Sequence, residues 1–395
     1  MIISIVNQQG HNYGDEAAGC ALIQELCKIS DVEKINVFYA SDSIIPISHI
    51  KVQHYVEITL KSMGLHNIIA YLLFNFKNSL NKIRNKELQQ FVATIFQSDI
   101  VFVSPCGASI GIYKDWRYLL RLLIVTKTGK KPIFHFNTIG KSGNVIFDFI
   151  SKCILKKSIV YVREKASFEY LRKIGINSMV GPDSAFLLSQ ISPKEKKELA
   201  FVPTHLDDWH PYFKKRNIDN FICKNIIPLI ASFGEKYNIK IKIIPHFNLT
   251  EEKEYCETIL EHFKKAGLNE NQVYVCQSIN SYMDYDYEIA NSRFVIGMRY
   301  HAIVLAAKNA TPFISLAYEN KMKEVSTYMG QCEYCIDLFE KDYEKIMNQI
   351  ALMMDKLLLN ENKIQNELDF MYIEKNKEAK KIIERYCKKK DYRGE

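Results

Sequence analysis

The sequence has no long apolar run and no disulfide pattern. None of its 395 residues lies in a segment close to the roughly 20 apolar residues that a membrane-spanning helix needs, and the apolar run at 2–6 is too short for a signal or anchor. Its ten cysteines are scattered without the spacing of a disulfide framework. We therefore expect a cytoplasmic protein, either soluble or bound peripherally at the inner face of the membrane.

Metal-binding patterns are also scarce. Cys332 and Cys335 form a single CxxC pair without two further ligands at zinc-finger spacing, so we interpret the pair as coincidental. The loop at 205–210, HLDDWH, could ligate a metal, but such residues more often form a hydrogen-bonded loop. We predict no metal site and no cofactor.

Arginine is rare among the basic residues. Only ten of the 53 Lys and Arg residues are Arg, so an Arg at a strand end is expected to serve bidentate recognition of carboxylate or phosphate. The formal charge of +8 favours acidic partners. No nucleic-acid motif or interleaved aromatic residues accompany the basic run Lys388–Lys390, so we predict no nucleic-acid partner.

Short buried-strand patterns alternate with helical segments and end in polar or glycine-rich loops. This alternation predicts parallel, doubly wound α/β sheets. The predicted strands are Met1–Asn7, Lys34–Tyr39, Asp99–Ser104, Lys131–Phe136, Ser158–Arg163 and Asn177–Val180, then Leu199–Pro203, Ile239–Ile244, Val273–Cys276, Phe294–Ile296 and Phe313–Tyr318.

The length of the chain predicts two domains with separate cores. We place a first Rossmann-like domain at 1–190 and a second at 199–338, with the charged run 193–198 as the linker. Residues 339–395 are predicted to form a basic C-terminal helix and tail.

One strand, helix, strand unit at 293–321 carries the strongest functional signal. Arg299, Tyr300 and His301 follow the first strand directly, and Lys321 follows the second. In parallel sheets, ligands gather outside the carboxyl ends of strands, next to helix N-termini. Two cations and a histidine at one edge therefore predict an anionic ligand and a proton transfer.

Four further candidates lie at other strand ends. Gly14 and Asp15 follow the first strand in a loop that lacks the GxGxxG fingerprint, and Asp15 either caps a helix or orients a hydroxyl. Arg163 either pairs with a structural carboxylate or binds a ligand. Asp183 either caps the next segment or acts in the site. His246 is either a simple loop residue or a ligand contact.

Residues 61–86 are basic and partly apolar. The segment His66–Phe76, HNIIAYLLFNF, is apolar on nearly all sides and is flanked by lysines and an arginine. Its simplest interpretation is a buried helix with a solvated face. The alternative is contact with a membrane surface or with a lipid-linked substrate.

Several of these segments together resemble the polysaccharide pyruvyl transferase family. Gly297–Ala302, followed by Pro312 and Tyr318–Lys321, is similar to the family's signature. Asn12–Glu16, Val162–Gly175 and Gly181–Leu187 resemble three shorter motifs of the family, and the similarity runs from near residue 1 to about 325.

The resemblance implies two Rossmann-like domains in a GT-B-like arrangement, with the active site in the cleft between them. It also implies transfer of a pyruvyl group from phosphoenolpyruvate to a sugar of a cell-surface polysaccharide or its precursor. The product is a ketal, and phosphate is released. The first domain is then expected on the acceptor side and the second on the donor side.

The same resemblance assigns roles to the candidate residues. Arg299, Lys321 and Arg163 bind the phosphate and carboxylate of the donor, and His301 is the candidate proton donor or a phosphate ligand. Asp15 or Asp183 accepts the proton of the acceptor hydroxyl. Further substrate contacts are expected from Tyr300, Gly14 and His246.

Two other functions stay open at this point. A GT-B glycosyltransferase with a nucleotide-sugar donor would use the same cations to hold a diphosphate. A glycan-binding protein without turnover would bind and form no product.

Overall fold

The computed structural model describes residues 1–73, 82–192, 196–208, 210–214 and 216–387. The chain divides into two compact units. Unit 1 contains Met1–His11, Asp15–Leu187 and the chain from Lys377 onward, and unit 2 contains Asn12–Gly14 and Leu188–Asn376. Three residues from near the N-terminus therefore belong to unit 2.

Unit 1 contains a parallel sheet of seven strands. They are β1 (Ile2–Gln8), β2 (Lys34–Tyr39), β3 (Val52–Tyr55), β4 (Ile100–Val103), β5 (Pro132–Asn137), β6 (Ile159–Val162) and β7 (Met179–Val180), in the order β3-β2-β1-β4-β5-β6-β7. The helices of this part of the chain are α1 (Tyr13–Cys27), α2 (Leu60–Met63), α3 (Leu65–Leu73), α4 (Lys86–Gln97), α5 (Trp116–Lys127), α6 (Val145–Leu155) and α7 (Lys165–Lys173).

Unit 2 contains a parallel sheet of six strands. They are β8 (Glu198–Val202), β9 (Ile241–Ile243), β10 (Val273–Val275), β11 (Ser292–Gly297), β12 (Phe313–Ala317) and β13 (Cys335–Asp337), in the order β10-β9-β8-β11-β12-β13. The helices that follow are α8 (Ile218–Phe221), α9 (Ile227–Tyr237), α10 (Thr250–Lys265), α11 (Tyr282–Ala290), α12 (Tyr300–Lys308), α13 (Asn320–Tyr328) and α14 (Tyr343–Cys387).

Both sheets have the doubly wound strand order, which confirms the predicted α/β fold class. The central strands are almost wholly buried, as in β1 and β11, because helices cover both faces of a parallel sheet. The order reverses between β1 and β4 in unit 1 and between β8 and β11 in unit 2. Ligands of such sheets bind at these switch points, beyond the carboxyl ends of the strands.

The C-terminal helix was predicted, and α14 spans 45 residues. Its residues up to Asn376 group with unit 2, and those from Lys377 onward group with unit 1, so the predicted segment 339–395 is shared between the two units. No helix in the described part of the chain is long and apolar enough to cross a membrane. Parts of four predictions lie outside the described residues: Phe74–Phe76, Pro193–Glu195, Trp209 and the tail from Lys388.

Candidate active site

The carboxyl edge of the unit 2 sheet carries the strongest candidates. Arg299 is the N-cap residue of α12, just after β11, and His301 lies in the first turn of that helix. Lys321 lies in the first turn of α13, after β12, and His246 follows β9. All four residues are buried. Two helix N-termini, which favour anions, begin at this edge.

Arg299 is held by a carboxylate of the same unit. Its Nη2 lies 3.0 and 3.3 Å from the two carboxylate oxygens of Glu252, in the first turn of α10. The guanidinium also lies over the ring of Phe247, 4.7 Å from the ring centroid. Glu252 accepts a second hydrogen bond from the backbone N–H of His246, at 3.1 Å. The same acid therefore positions both Arg299 and the loop after β9.

Lys321 is held in the same way by Glu319, the N-cap residue of α13. The two charged groups are 2.8 Å apart, and His210 Nε2 lies 3.6 Å from the other oxygen of Glu319. Burial alone would raise the pKa of Glu319, but the interactions with Lys321 and His210 outweigh it and lower this pKa to about 2. Glu319 is therefore ionised at neutral pH and holds the ammonium of Lys321, which also lies 5.5 Å from the Tyr300 ring centroid.

His301 and His246 lie side by side. Their rings are nearly parallel, 16° apart, with centroids separated by 6.4 Å. The hydroxyl of Tyr285 is hydrogen-bonded to His246 Nδ1 at 2.9 Å. This arrangement fixes the orientation of His246 and places its ring beside the predicted proton donor.

The surroundings of His246 determine its charge. Burial lowers the pKa of His246 well below its usual value, and Arg299, His301 and Lys321 lower it further. His246 is therefore neutral at physiological pH and has no proton to transfer as an acid. The charges of Arg299, His301 and Lys321 therefore lie close enough to act on one imidazole.

The segment Asn12–Gly14 completes this site within unit 2. The Tyr13 N–H donates to the His246 carbonyl at 3.3 Å, and the Tyr13 hydroxyl donates to the Ile279 carbonyl at 2.8 Å. At Gly14, an added Cβ would overlap the His301 ring. Gly14 was predicted to allow close approach of a ligand; in the structure it allows close approach of His301.

A buried ion pair anchors the other end of α12. Lys308, its last residue, lies 2.8 Å from Asp286 in α11, and the same ammonium donates to the Ser189 carbonyl at 2.8 Å. Asn309 donates to the second oxygen of Asp286 at 2.7 Å. Because Lys308, Asp286 and Asn309 are buried and hydrogen-bonded to one another, the C-terminal end of the helix that carries His301 is held in place.

In unit 1, Arg163 and Asp183 contact one another. Arg163 Nη1 lies 2.7 Å from Asp183 Oδ2, and both side chains are buried. The second oxygen of Asp183 accepts the Ala185 N–H at 2.8 Å, and Arg163 Nε donates to the Thr138 hydroxyl at 3.2 Å. These are the ion pair and the cap that the sequence left open as alternatives. Donor binding by Arg163 and proton acceptance by Asp183 stay predictions.

Asp15 has a more open environment. It is half-buried in the first turn of α1, in unit 1. Burial and, after it, the charge of Asp15 raise the pKa of Cys106 to about 11, which places Asp15 near the loop after β4. Asn137, at the end of β5, donates to the Ser104 carbonyl at 2.7 Å in the same region. A polar cluster thus follows β1, β4 and β5.

The loop at 205–210 forms a hydrogen-bonded turn in its described residues. Asp219 accepts the backbone N–H groups of Leu206 and Asp207, and Asp207 in turn accepts those of Ile218 and Asp219. Across the described ranges, no three His, Cys, Asp or Glu side chains are grouped to hold a metal ion.

Two acids of the unit 2 site were not predicted from the sequence. Glu252 holds Arg299, and Glu319 holds Lys321. Glu319 has a local signal, because it lies two residues before the predicted Lys321 at the end of β12. Glu252 is 47 residues from Arg299 in the sequence, and only its position in the first turn after a strand-end histidine marks it.

The sequence profile of polysaccharide pyruvyl transferases matches residues 12–320, well over half of the chain. The chain belongs to this family. The match includes the Asn12–Gly14 segment, Arg163, Asp183, His246, Arg299 and His301, and it ends one residue before Lys321. No curated protein matches the chain.

Solved structures with the same fold have low sequence identity to this family member. Anabaena HepE in complex with UDP and glucose is 13% identical over 98% of both chains, with a TM-score of 0.61. The Neisseria meningitidis UDP-GlcNAc 2-epimerase bound to UDP-GlcNAc is 12% identical over 98% of this chain and 99% of its own, with a TM-score of 0.57. The trehalose-6-phosphate synthase OtsA is 11% identical over 98% and 99%, with a TM-score of 0.52. These similarities establish a GT-B-type fold and leave the substrate open.

Proposed function

We propose that this protein transfers the pyruvyl group of phosphoenolpyruvate to two hydroxyls of a sugar residue in a cell-surface polysaccharide or its precursor. The methylene carbon of the donor gains a proton and becomes the methyl group of a ketal. Two C–O bonds form to the sugar oxygens, and the C–O bond to phosphate breaks. Of the two hydroxyl protons, one replaces the proton given to the donor and the other leaves with phosphate.

The observation that carries this proposal is the set of side chains around His246. Arg299, His301 and Lys321 all act on this buried imidazole, so two cations and a candidate proton donor share one small region. Phosphoenolpyruvate carries a phosphate and a carboxylate, and binding such an anion away from water requires convergent cations. Membership of the pyruvyl transferase family supports the same donor.

Glu252 and Glu319 have a role in this proposal. Each holds one cation in place, so the Arg299 and Lys321 side chains lose less conformational entropy when the donor binds. The phosphate and carboxylate of the donor then approach Arg299 and Lys321 from the side opposite these acids. The acids also limit the net positive charge of the site when no donor is bound.

His301 is the proposed proton donor, because its neighbour is unsuited to the role. Protonation of the methylene carbon creates an oxocarbenium-like centre and requires an acid next to it. The neutral state of His246 excludes that residue as the acid. His246 instead provides a neutral ring beside His301, and Gly14 leaves room for the His301 ring.

The acceptor is proposed to be a sugar, carried on a lipid in the precursor form. Asp15 is the preferred acceptor base in this proposal, because its carboxylate is half-buried, whereas Asp183 is fully buried in its pair with Arg163. The choice between the two acids rests on this difference in exposure.

A second candidate is a glycosyltransferase with a nucleotide-sugar donor. The observation that favours it is the fold shared with HepE and with the 2-epimerase, which were solved with UDP or UDP-GlcNAc. The same cations could hold a diphosphate.

Phosphate release and nucleotide release separate the two candidates. Purified protein is incubated with a panel of glycosides and with either phosphoenolpyruvate or UDP-sugars. We expect inorganic phosphate, and a product with a ketal methyl signal in its proton NMR spectrum, only with phosphoenolpyruvate. Release of UDP in step with acceptor consumption, and no ketal, would establish the second candidate instead.

A further inference from the structure

Two segments of unit 1 are strongly basic, although the chain as a whole is only moderately so. Residues 58–86 contain five Lys and Arg and no acid, and residues 100–147 contain seven and a single acid, Asp115. Their balance is +11, while the whole chain carries +8, so all other residues together carry −3. The positive charge is therefore concentrated in the part of unit 1 that contains α3, α5 and α6.

The same part of unit 1 exposes large apolar side chains. Val145 and Phe149, in the first turns of α6, are 84% and 67% exposed, and Ile146 between them is also exposed. Trp116, at the start of α5, is partly exposed, and its ring contacts Phe147 edge to face at 5.0 Å. The N-terminal ends of α5 and α6 thus form one apolar projection.

Exposed cations lie next to these apolar residues in the sequence. Lys114 and Arg117 flank Trp116, and Lys141 lies in the loop that leads to α6. The two acids at the N-terminal ends of α5 and α6 bind the local backbone: Asp115 caps α5, and Asp148 accepts the Ser142 N–H at 2.9 Å.

Helix α3 of the same unit also exposes apolar side chains. Ile68 and Tyr71 of this helix are buried in the unit 1 core, while Leu65, Ile69 and Leu73 lie on its exposed side. The helix packs on α5, and the ammonium of Lys127 in α5 donates to the Leu72 carbonyl at 3.2 Å. A helix that is apolar on its solvent side as well as on its core side needs another apolar environment.

We propose that Trp116, Val145, Phe149, Lys114, Arg117 and Lys141 form a docking surface for a membrane that contains anionic lipids. Aliphatic and aromatic side chains that project from a helix end can enter the boundary between headgroups and acyl chains. The neighbouring cations attract the anionic headgroups. This surface does not depend on the identity of the donor.

The position of the docking surface agrees with a lipid-linked acceptor. The N-terminal ends of α5 and α6 follow the carboxyl ends of β4 and β5, the edge of the unit 1 sheet that also carries Asp15 and Arg163. A sugar attached to a membrane lipid would then be presented at this edge. Nucleic acid is less suited to this surface, because its most exposed apolar side chain, Val145, cannot stack on bases, and Trp116 is only partly exposed and packs against Phe147.

Vesicle flotation tests the docking surface. Full-length protein is mixed with phosphatidylcholine vesicles, with or without phosphatidylglycerol, at low and at high salt. We expect binding to the anionic vesicles at low salt, little binding to the neutral ones, and loss of binding at high salt. The double variant Val145→Ser/Phe149→Ser should lose at least tenfold in bound fraction, and Lys141→Glu at least fivefold.

Matched variants on α14 provide the control. Leu359 and Phe370 are 84% and 64% exposed, close to Val145 and Phe149, and Lys363 is likewise exposed. Leu359→Ser/Phe370→Ser and Lys363→Glu should bind vesicles like the wild type, and circular dichroism should show that all variants are folded. Equal vesicle binding by both double variants would overturn the proposal. The proposal would also be overturned if the wild-type protein did not bind anionic vesicles. Binding of oligonucleotides through this surface, or dimerisation through it in sedimentation experiments, would overturn it as well.

Discussion

The backbone of Gly14 lies against the imidazole ring of His301, so that even a methyl group at position 14 would overlap the ring. The two residues are far apart in the sequence, yet both belong to unit 2. The orientation of the proposed proton donor therefore depends on a glycine near the N-terminus. The ring of His246 is stacked next to the His301 ring.

Gly14→Ala should lower turnover without preventing folding. The added methyl group must displace His301, and a displacement of about 1 Å in a catalytic group costs about 10²-fold in rate. We expect this loss in kcat, with the Kd for phosphoenolpyruvate changed much less, because Arg299 and Lys321 stay in place. Steady-state kinetics and calorimetric titration measure the two effects.

Gly140→Ala is the matched control for this variant. No atom lies within 4 Å of the Cβ that Gly140 would gain, so kcat should stay at the wild-type value. Equal turnover by Gly14→Ala and Gly140→Ala would show that the position of His301 does not matter.

Arg299→Lys should weaken donor binding although it keeps the charge. Lysine lacks the planar guanidinium that contacts both carboxylate oxygens of Glu252 and lies over the Phe247 ring. We expect the Kd for phosphoenolpyruvate to rise about 10- to 100-fold, since a hydrogen bond to a charged group is worth about 1.5–3 kcal/mol. Arg293→Lys makes the same change in another Arg–Glu pair of unit 2, with Glu361; if it weakens donor binding equally, Arg299 has no special role.

Glu319 should make stability depend on pH in the acid range. Its pKa is lowered in the folded protein from 4.5 to about 2, so its contribution is present above pH 4.5 and is lost as the pH falls towards 2. At about 1.4 kcal/mol per pKa unit, this amounts to about 3 kcal/mol at neutral pH. Glu319→Gln should therefore lower the thermal unfolding midpoint at pH 7, by a difference that shrinks below pH 5. A difference that stayed constant down to pH 3 would contradict the ionised pairing.

Substitution of Asp15 and of Asp183 by Asn should have different effects on stability and on activity. Asp183→Asn leaves Arg163 as a buried charge without its counter-ion, which typically costs about 3–5 kcal/mol of folding free energy. Asp15 is half-buried, so Asp15→Asn should leave the thermal midpoint within about 2 °C of the wild type while lowering kcat. Differential scanning fluorimetry and steady-state kinetics measure both; a stable Asp183→Asn protein without activity would favour Asp183 as the base.

The sequence predicted the features that depend on local patterns. Strand ends, the position of Arg299 and His301 at the start of α12, and the presence of a C-terminal helix follow from apolar runs and from the residues that interrupt them. The strands β3 and β13 were not predicted, because both are short edge strands with weak patterns.

The contacts that orient the site were beyond sequence reasoning. The pair of Arg299 with Glu252, and the contact of Gly14 with His301, join residues that are distant in the chain and meet only after the sheets have formed. For Arg163 the sequence predicted either an ion pair with an unspecified carboxylate or a ligand contact, and it did not identify Asp183 as the partner. The ion-pair partner of a charged side chain depends on burial and on distances in the folded protein. Sequence periodicity does not predict either.

Deuterium incorporation is the most direct test of the central claim, that His301 protonates the methylene carbon of phosphoenolpyruvate. The reaction is run in D₂O with wild-type protein, His301→Ala and His301→Gln, and the product is examined by NMR and mass spectrometry. We predict one deuterium in the ketal methyl group of the wild-type product, and a loss of at least about 10³-fold in kcat for both variants, since glutamine donates a hydrogen bond but transfers no proton. Wild-type turnover by His301→Gln, or a ketal methyl group without solvent deuterium, would contradict the claim.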